Sequence, residues 1–392
     1  MTQSLRQNVI LVGMFFLIIG LGILALLKTP TTFSVAENRD LAQFTMPNLR
    51  SFLDHSFQDN LENALSDQFI GSATIREAYS YVIDNMPTFS LEEQLCKNEY
   101  LSLGNGRSTF NCDERIVYTP VKFTAQQEKQ IKTNIAQLDK LNQLADTYYY
   151  VVNDPAVFDF RTNQFTENLT ELLKKNLHNG YAGIDSLKFK NYDEAKKFFY
   201  KTDHHWNYRG AQQGYLDIAK MLNIKNVYQP DETFHSNEQF FGSHARNLRN
   251  YDFPEEFVAY KYSLPKHKSY INGVFGSYNG VEKTEKHDYE YEKNLNFYGQ
   301  YYGLDYAEVV FDYAQPKKEN LLIIANSYSN AINELLASGF NKTYVIDPRI
   351  NKNWHARKYI KDNEISKVVV ILSDKLLMAD DLNLGVEVEN AI

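Results

Sequence analysis

Leu321-Leu322-Ile323-Ile324-Ala325-Asn326-Ser327-Tyr328-Ser329 is the stretch on which the fold turns: five apolar residues, then an amide and hydroxyls, with a helical pattern following over residues 331–338. A short apolar run without alternation reads as a strand buried on both faces. Two more such runs, 343–346 and 367–372, with a helical pattern at 354–363 between them, complete a βαβαβ series. That alternation implies a parallel sheet with right-handed crossovers, and open α/β sheets take ligands at the carboxyl ends of their strands. Ser327 stands at such an end. There, unpaired amides and the positive end of a helix dipole favour an oxyanion, although on spacing alone Ser327 or Ser329 serves as well as a plain helix cap. Arg349, in Ile346-Asp347-Pro348-Arg349, ends the next strand and should face the same crevice, as a substrate contact or as half of a surface ion pair.

Upstream, Thr124 and Gln127 have capping-box spacing, and Ile131, Ile135, Leu138, Leu141 and Leu144 share one face, which predicts a helix over 124–146. A strand at 148–152, a helix near 167–177, a short strand at 187–189 and a helix over 209–222 follow, the last despite Gly210 and Gly214. Residues 223–300 are rich in Tyr, Asn and Gly without a sustained period; they read as an insertion shaping a binding surface, with no element assigned. Nearer the start, Phe57, Leu61, Leu65 and Phe69, then Ile75, Tyr79 and Ile83, suggest one or two amphipathic helices before Pro87.

The chemistry-bearing cluster is Thr202-Asp203-His204-His205-Trp206-Asn207. An aspartate two residues before a histidine can orient and charge-stabilise the ring, which a general base needs once a nucleophile is supplied from elsewhere. The bland alternative is a satisfied Asp-His pair ahead of a helix, with Asp203 or Asn207 as cap. Metal ligation by Asp203, His204 and His205 is disfavoured, because adjacent residues seldom converge on one ion and no HExxH-like spacing accompanies them.

The chain has 392 residues, 43% hydrophobic, enough for a full-sized core in one large domain or two. A net charge of −8 argues against nucleic acid as a partner. The 28 tyrosines supply rings that can stack on sugars, though most fit ordinary packing. Residues 9–27 (VILVGMFFLIIGLGILALL) form an apolar run long enough to span a bilayer once. It exceeds a usual signal-peptide core and lacks a small-x-small site after it, so it reads as an uncleaved anchor with a cytoplasmic N-terminus. Cys96 and Cys112, the only cysteines, admit a disulfide in an exported domain; neither has an activating neighbour. The expected organisation is a cytoplasmic N-terminus (1–8), an anchor (9–27), a tether and helical stem (28–90) and a catalytic domain (91–392).

The run Lys201-Thr202-Asp203-His204-His205-Trp206-Asn207-Tyr208-Arg209-Gly210-Ala211 resembles the signature of the bacterial DHHW family. That family is similar to the SGNH-hydrolase-like O-acetyltransferase domains of the AlgJ, AlgX and PatB types. Further matches fall at Glu37-Asn38-Arg39, Asp67-Gln68-Phe69, Phe241-Gly242-Ser243, 326–330 and Asp347-Pro348-Arg349, so the resemblance runs over nearly the whole chain beyond the apolar run. It implies an SGNH-hydrolase-like three-layer α/β/α fold with a mostly parallel sheet. It also implies a triad of Asp203, His205 and Ser327 with no metal and no cofactor; Arg349, Trp206 and Tyr328 are the expected substrate contacts. This sequence has Asn326-Ser327 where relatives usually have Asp-Ser.

The function so implied is a serine-dependent O-acetyltransferase, single-pass in the bacterial cell membrane with its catalytic domain outside. It would pass acetyl through an acyl-serine to hydroxyls of a surface or secreted polysaccharide. Because acetyl-CoA is cytoplasmic, the resemblance also implies a multispanning MBOAT partner that delivers acetyl. The same residues would serve an O-acetyl esterase, and a third reading is a non-catalytic glycan-binding scaffold.

Overall fold

The computed structural model describes residues 30, 32–34, 39–46, 51, 56–68, 109–118, 122–153, 158–159, 164–248, 251–278, 296–352, 354–379, 382 and 384–386. The expected anchor 9–27, Glu37, Asn38, Phe69, the stem positions Ile75, Tyr79 and Ile83, and Cys96 lie outside these residues. Among the described residues no helix is long and apolar enough to cross a membrane.

The chain divides into two compact units, 1–98 with 245–251, and 99–244 with 252–392. In the first, β1 (Phe33–Ser34) pairs antiparallel with β2 (Arg39–Asp40), and a helix spans Ser56–Gln68. Asp67 Oδ2 accepts the Ala42 amide at 2.8 Å and Gln68 Nε2 donates to the Ala42 carbonyl at 3.0 Å, tying the preceding strand-like segment to the helix end.

The strands of the second unit are β3 (Thr109–Cys112), β4 (Arg115–Tyr118), β5 (Asp146–Val151), β6 (Phe158–Asp159), β7 (Gln164–Phe165), β8 (Gly183–Ser186), β9 (Glu232–Phe240), β10 (Glu255–Lys261), β11 (Lys268–Ile271), β12 (Val274–Phe275), β13 (Glu308–Asp312), β14 (Asn320–Ile324), β15 (Lys342–Ile346) and β16 (Ile365–Leu372). Eight of them form one sheet in the order β12-β11-β13-β15-β14-β16-β5-β8. From β15 to β8 the neighbours are parallel; β13, β11 and β12 add antiparallel pairs on the other side. The three apolar runs of the C-terminal part are therefore β14, β15 and β16, side by side with β14 in the middle.

Alternation along these strands sorts their side chains onto two faces. Tyr149, Val151, Leu322, Ile324, Val368 and Val370 pack with Ile131, Ile135, Leu138, Leu173 and Ile360 from the helices Ala125–Leu141, Leu169–Asn176 and Ala356–Asp362. Tyr150, Leu321, Ile323, Val345, Val369 and Ile371 pack on the opposite face with Tyr215, Ile218 and Leu336 from Tyr208–Met221 and Asn333–Ala337. Helices thus cover both faces of a mostly parallel sheet, a three-layer α/β/α arrangement. Each such buried side chain contributes about 1.5–3 kcal/mol of transfer free energy.

Several boundaries differ from the sequence reading. The capping box is present, Thr124 Oγ1 accepting the Gln127 amide at 3.2 Å and Gln127 Oε1 accepting the Thr124 amide at 2.9 Å. The helix nonetheless stops at Leu141 rather than reaching 146, because Asp146 already pairs with Lys367 in the sheet. The strand expected at 187–189 lies earlier, at β8; as an edge strand it carries the polar sequence GIDS, and the apolar Leu187 and Phe189 follow it into the core. The helix expected over 331–338 is split into a 3-10 turn, Ser327–Ala331, and a short helix, Asn333–Ala337. Residues 223–300, left unassigned by sequence, contain the β9–β10 ribbon and the strands β11 and β12, and β13 also went unread.

Candidate active site

β14 ends at Ile324, and the Ala325 amide continues the ladder onto the Ile346 carbonyl at 3.1 Å. Asn326 then caps the 3-10 turn, its Oδ1 accepting the Tyr328 amide at 3.3 Å while its Nδ2 donates to Ser373 Oγ, just past β16, at 2.8 Å. Ser327 is the first residue of the turn and is partly exposed. Its amide belongs to the group that a helix start leaves without an intrahelical acceptor. Ser329 is buried and donates to the Asn326 carbonyl at 3.2 Å, so it closes the turn and does not face solvent.

The Asp203 cluster sits on a loop pinned at its base by an antiparallel bridge between Phe199 and Trp206 and by the Asn207 amide on the Phe198 carbonyl at 2.8 Å. Asn207 Oδ1 accepts the Arg209 and Gly210 amides, starting the helix Tyr208–Met221. The loop therefore holds a fixed position against the sheet, 122 residues upstream of Ser327.

The loop and the turn meet. Asp203 Oδ1 lies 2.6 Å from His205 Nδ1 and also accepts the His205 amide at 2.9 Å, while His205 Nε2 lies 2.8 Å from Ser327 Oγ. Asp203 Oδ2 accepts the Ser243 amide at 2.7 Å. With its carboxylate oxygens so engaged, Asp203 bonds the Nδ1–H of His205 and leaves Nε2 as the acceptor that faces the serine hydroxyl. Asp203 and His205 are buried, which strengthens these charge-assisted bonds relative to water.

Residues that carry no chemistry themselves fix this geometry. The Tyr298 ring stacks on the His205 imidazole with centroids 3.8 Å apart and planes 7° from parallel, and its hydroxyl donates to the Ser327 carbonyl at 3.1 Å. One side chain thus touches both loop and turn. Gly242 lies flat against Asp203: a Cβ there would fall 2.3 Å from Asp203 Cβ and 2.5 Å from its Cα, so the close approach that brings in the Ser243 amide requires glycine. Tyr298 lies in the unread part of the sequence and no local pattern marks it. The Gly242-Ser243 pair was noted only as part of the family resemblance.

His204 Nδ1 pairs with Ser243 Oγ at 2.6 Å, and its ring packs 3.8 Å from that of His205. Burial, and then the neighbouring His205, hold its pKa well below the ordinary imidazole value, which keeps it neutral. The donor atoms of Asp203, His204 and His205 lie within 4.8 Å of one another, as a metal site would require. Their disposition is nonetheless that of mutual hydrogen bonds, since each is directed at a partner in the protein: Asp203 at His205 and Ser243, His204 at Ser243, and His205 at Asp203 and Ser327.

Trp206 and Tyr328, expected at the substrate, are instead in the core, 0% and 1% exposed. Trp206 fills the hole left by Gly214, and Tyr328 donates its hydroxyl to the His204 carbonyl at 2.5 Å with its ring edge-on to His205. They support the site from behind, with no surface for a ligand. Arg349 ends β15 as expected, but Asp347 grips its guanidinium through both carboxylate oxygens, Nε to Oδ1 at 3.0 Å and Nη2 to Oδ2 at 2.5 Å, and Asp305 Oδ2 takes Nη2 at 2.9 Å. Those two carboxylates, with Asn326 and Asn330, line a crevice at the carboxyl ends of β14 and β15. A separate cleft lies against Asp203, His204 and His244, walled by Arg115, Phe158, Lys196 and Tyr200 and not by Ser327.

Fold and site together define a class: a three-layer α/β protein with an acid, imidazole and hydroxyl joined in series at the carboxyl end of its central strand. No protein-family model and no curated protein matches the sequence. Among solved structures, that of Bacillus cereus PatB1 is similar at 22% identity and a TM-score of 0.55, covering 71% of this chain and 100% of that one. PatB1 with a sulfonyl adduct gives 20% identity and a TM-score of 0.53, covering 70% and 98%. A DHHW family protein from Eubacterium siraeum gives 18% and 0.53, covering 73% and 96%. At these identities the likeness is one of fold, and at that level it agrees with the DHHW resemblance carried by residues 201–211.

Proposed function

We propose that this protein is a serine-dependent O-acyltransferase, anchored by residues 9–27 with its catalytic unit outside the cytoplasm, that moves acetyl groups to hydroxyls of a surface or secreted polysaccharide. The observation that carries the reading is the hydrogen-bonded series Asp203, His205 and Ser327. The DHHW-type motif supports acetyl and polysaccharide as substrate classes, and the solved relative with a sulfonyl adduct shares the fold.

In the first half-reaction Ser327 Oγ attacks the acyl carbonyl as His205 Nε2 takes its proton, and Asp203 stabilises the resulting imidazolium. The Ser327 amide, at the start of the turn, would donate to the oxyanion. Collapse of the tetrahedral intermediate breaks the bond to the donor's leaving group, which departs with the proton from His205. In the second half-reaction a sugar hydroxyl gives its proton to His205 and attacks the acyl-serine; as the bond to Ser327 Oγ breaks, His205 returns the proton to that oxygen and the free hydroxyl is restored. An acetyl supply from across the membrane, through an MBOAT-type partner, fits an enzyme on the outer side. Arg349 would contribute to acceptor binding only through the Asp305–Asp347 crevice that already holds it.

The test is turnover of a chromogenic acetyl ester by wild type and Ser327→Ala, repeated with an oligosaccharide acceptor. Loss of turnover in Ser327→Ala, with acetyl transfer above hydrolysis in wild type, is the expected result. Equal turnover by the two proteins would remove Ser327 as nucleophile. Hydrolysis without transfer would make the protein an esterase.

A further inference from the structure

Glu255, at the start of β10, is a half-buried carboxylate that the reaction above does not use. Its Oε1 accepts the amides of Lys201 and Thr202 at 2.8 and 3.0 Å and the Thr202 hydroxyl at 3.2 Å; its Oε2 accepts the Lys201 amide at 3.0 Å. Thr202 passes the connection on, its Oγ1 accepting the Gly242 amide at 2.9 Å and its carbonyl accepting the His244 amide at 3.0 Å. Between those two residues, Ser243 gives its amide to Asp203 Oδ2 at 2.7 Å. A single carboxylate therefore holds the two residues before Asp203 and, through Thr202, the segment that completes the hydrogen bonds of Asp203.

We propose that Glu255 is a positioning residue: as a carboxylate it fixes the 201–203 loop so that Asp203 meets His205, and on taking a proton it loosens its hold on that loop, so that the reaction needs Glu255 and His205 unprotonated together. The inference rests on the reading of His205 and Ser327 given above. A proton on Oε2 displaces the Lys201 amide from that oxygen and removes the charge that strengthens the three bonds to Oε1. Burial raises the Glu255 pKa to about 7, the Lys201 and Thr202 amides and the Arg115 charge offsetting part of the rise. The groups facing it are Arg115 from β4, whose Nη2 donates to the Phe199 carbonyl, and Tyr200 and Lys201 from the loop. β9 brings uncharged Phe240 opposite it, and the Lys201 ammonium is 3.7 Å from Glu114.

The experiment is the pH dependence of kcat/KM and kcat for acetyl-ester turnover by the full chain between about pH 5 and 9, which brackets the Glu255 value of about 7, for wild type, Glu255→Gln, Glu255→Asp and Ser327→Ala. The wild-type acid limb should approach a two-proton slope, about 100-fold per pH unit, where a single base gives about tenfold. Glu255→Gln should show the one-proton slope, with kcat lowered by about tenfold or more and KM little changed, as expected when orientation rather than binding is lost. Glu255→Asp should restore the two-proton slope. A one-proton limb in wild type overturns the proposal, and so does a Glu255→Gln protein with wild-type kcat and slope. Should Glu255→Gln fail to fold, the wild-type slope decides. Ser327→Ala with undiminished turnover removes the catalytic reading and this inference with it, whereas an inactive Ser327→Ala beside a one-proton wild-type limb removes Glu255 alone.

Discussion

Asp203→Asn separates charge from shape. The aspartate uses both oxygens: Oδ1 for the His205 ring and amide at 2.6 and 2.9 Å, Oδ2 for the Ser243 amide at 2.7 Å. Asparagine keeps the volume and one oxygen. If that oxygen stays with His205, the new NH2 meets the Ser243 N–H, donor against donor. If it turns to Ser243, the NH2 faces His205 Nδ1 and selects the tautomer with its proton on Nε2, aimed at Ser327 Oγ 2.8 Å away. The first outcome loses one charge-assisted bond, about 1.5–3 kcal/mol, or about 10- to 150-fold at 1.36 kcal/mol per decade. The second removes the base itself, and the corresponding acid-to-amide change in a serine protease triad lowers kcat by about 10⁴. The first outcome sets the NH2 against the Ser243 amide and the second sets it against the His205 amide, so each carries one donor clash. Steady-state turnover of an acetyl ester should therefore show kcat reduced by between about tenfold and about 10⁴-fold with KM within about threefold, since no substrate contact is lost. A loss below tenfold would refute the role assigned to Asp203.

Tyr298→Phe removes the hydroxyl from the Ser327 carbonyl but keeps the ring on His205; stability should fall by about 1 kcal/mol and kcat by less than about tenfold, and a denaturant melt with kinetics would expose a larger kcat loss as contrary to a supporting role. Gly214→Ala would place a Cβ 2.5 Å from Trp206 Cζ3, in a core with no room for the indole to move, so the urea midpoint should drop in line with about 1–3 kcal/mol of overpacking; an unchanged midpoint would show that the core yields. His267 stacks on Tyr313 and pairs with Glu334 at 3.0 Å; burial alone would lower its pKa, but the hydrogen bond and charge of Glu334 outweigh that and raise it. A raised histidine contributes stability that is present in full below its ordinary value of 6.5 and is lost as pH rises through the folded-state value. Thermal melts across that window should fall with rising pH in wild type, and Glu334→Gln should flatten that part of the profile; identical profiles would exclude the pair.

The central strands were legible because burial on both faces leaves a continuous apolar signature, as in Leu321 to Ile324 and Val368 to Leu372, which needs no knowledge of neighbours. The strands that were missed lie elsewhere. β11 (KSYI) and β12 (VF) extend the antiparallel side of the sheet, and β9 pairs only with β10 through sequences such as ETFHSNEQF, where polar residues are compatible with a strand and no alternation stands out. The same division runs through the site. Asp203 and His205 are two residues apart and announce themselves, and Ser327 is placed by its strand. The contributions of Tyr298 and Glu255 exist only once distant segments meet. Trp206 and Tyr328 were misplaced for a related reason: an aromatic beside a candidate catalytic residue suggests a sugar platform, and only Gly214, nearly two turns into the next helix, shows that the indole points inward.

Asn326 shows how an amide, rather than the acid that the DHHW resemblance leads one to expect, can hold the turn. The position is 4% exposed, between the ends of β14 and β16. A carboxylate there would have to be desolvated, and no cationic side chain among the described residues is paired with the position; the amide instead bridges the two strands by donating to Ser373 Oγ at 2.8 Å and accepts the Tyr328 amide at 3.3 Å. Ser373 in turn accepts the Leu376 amide at 3.4 Å as the cap of the following helix, so its oxygen uses both lone pairs, one for Asn326 and one for Leu376. A neutral donor at 326 also leaves no negative charge next to Ser327, where the reaction would build up an oxyanion. Asn326 is thus matched to its buried partner at Ser373, and the serine it precedes stands at the strand end, 2.8 Å from His205 Nε2.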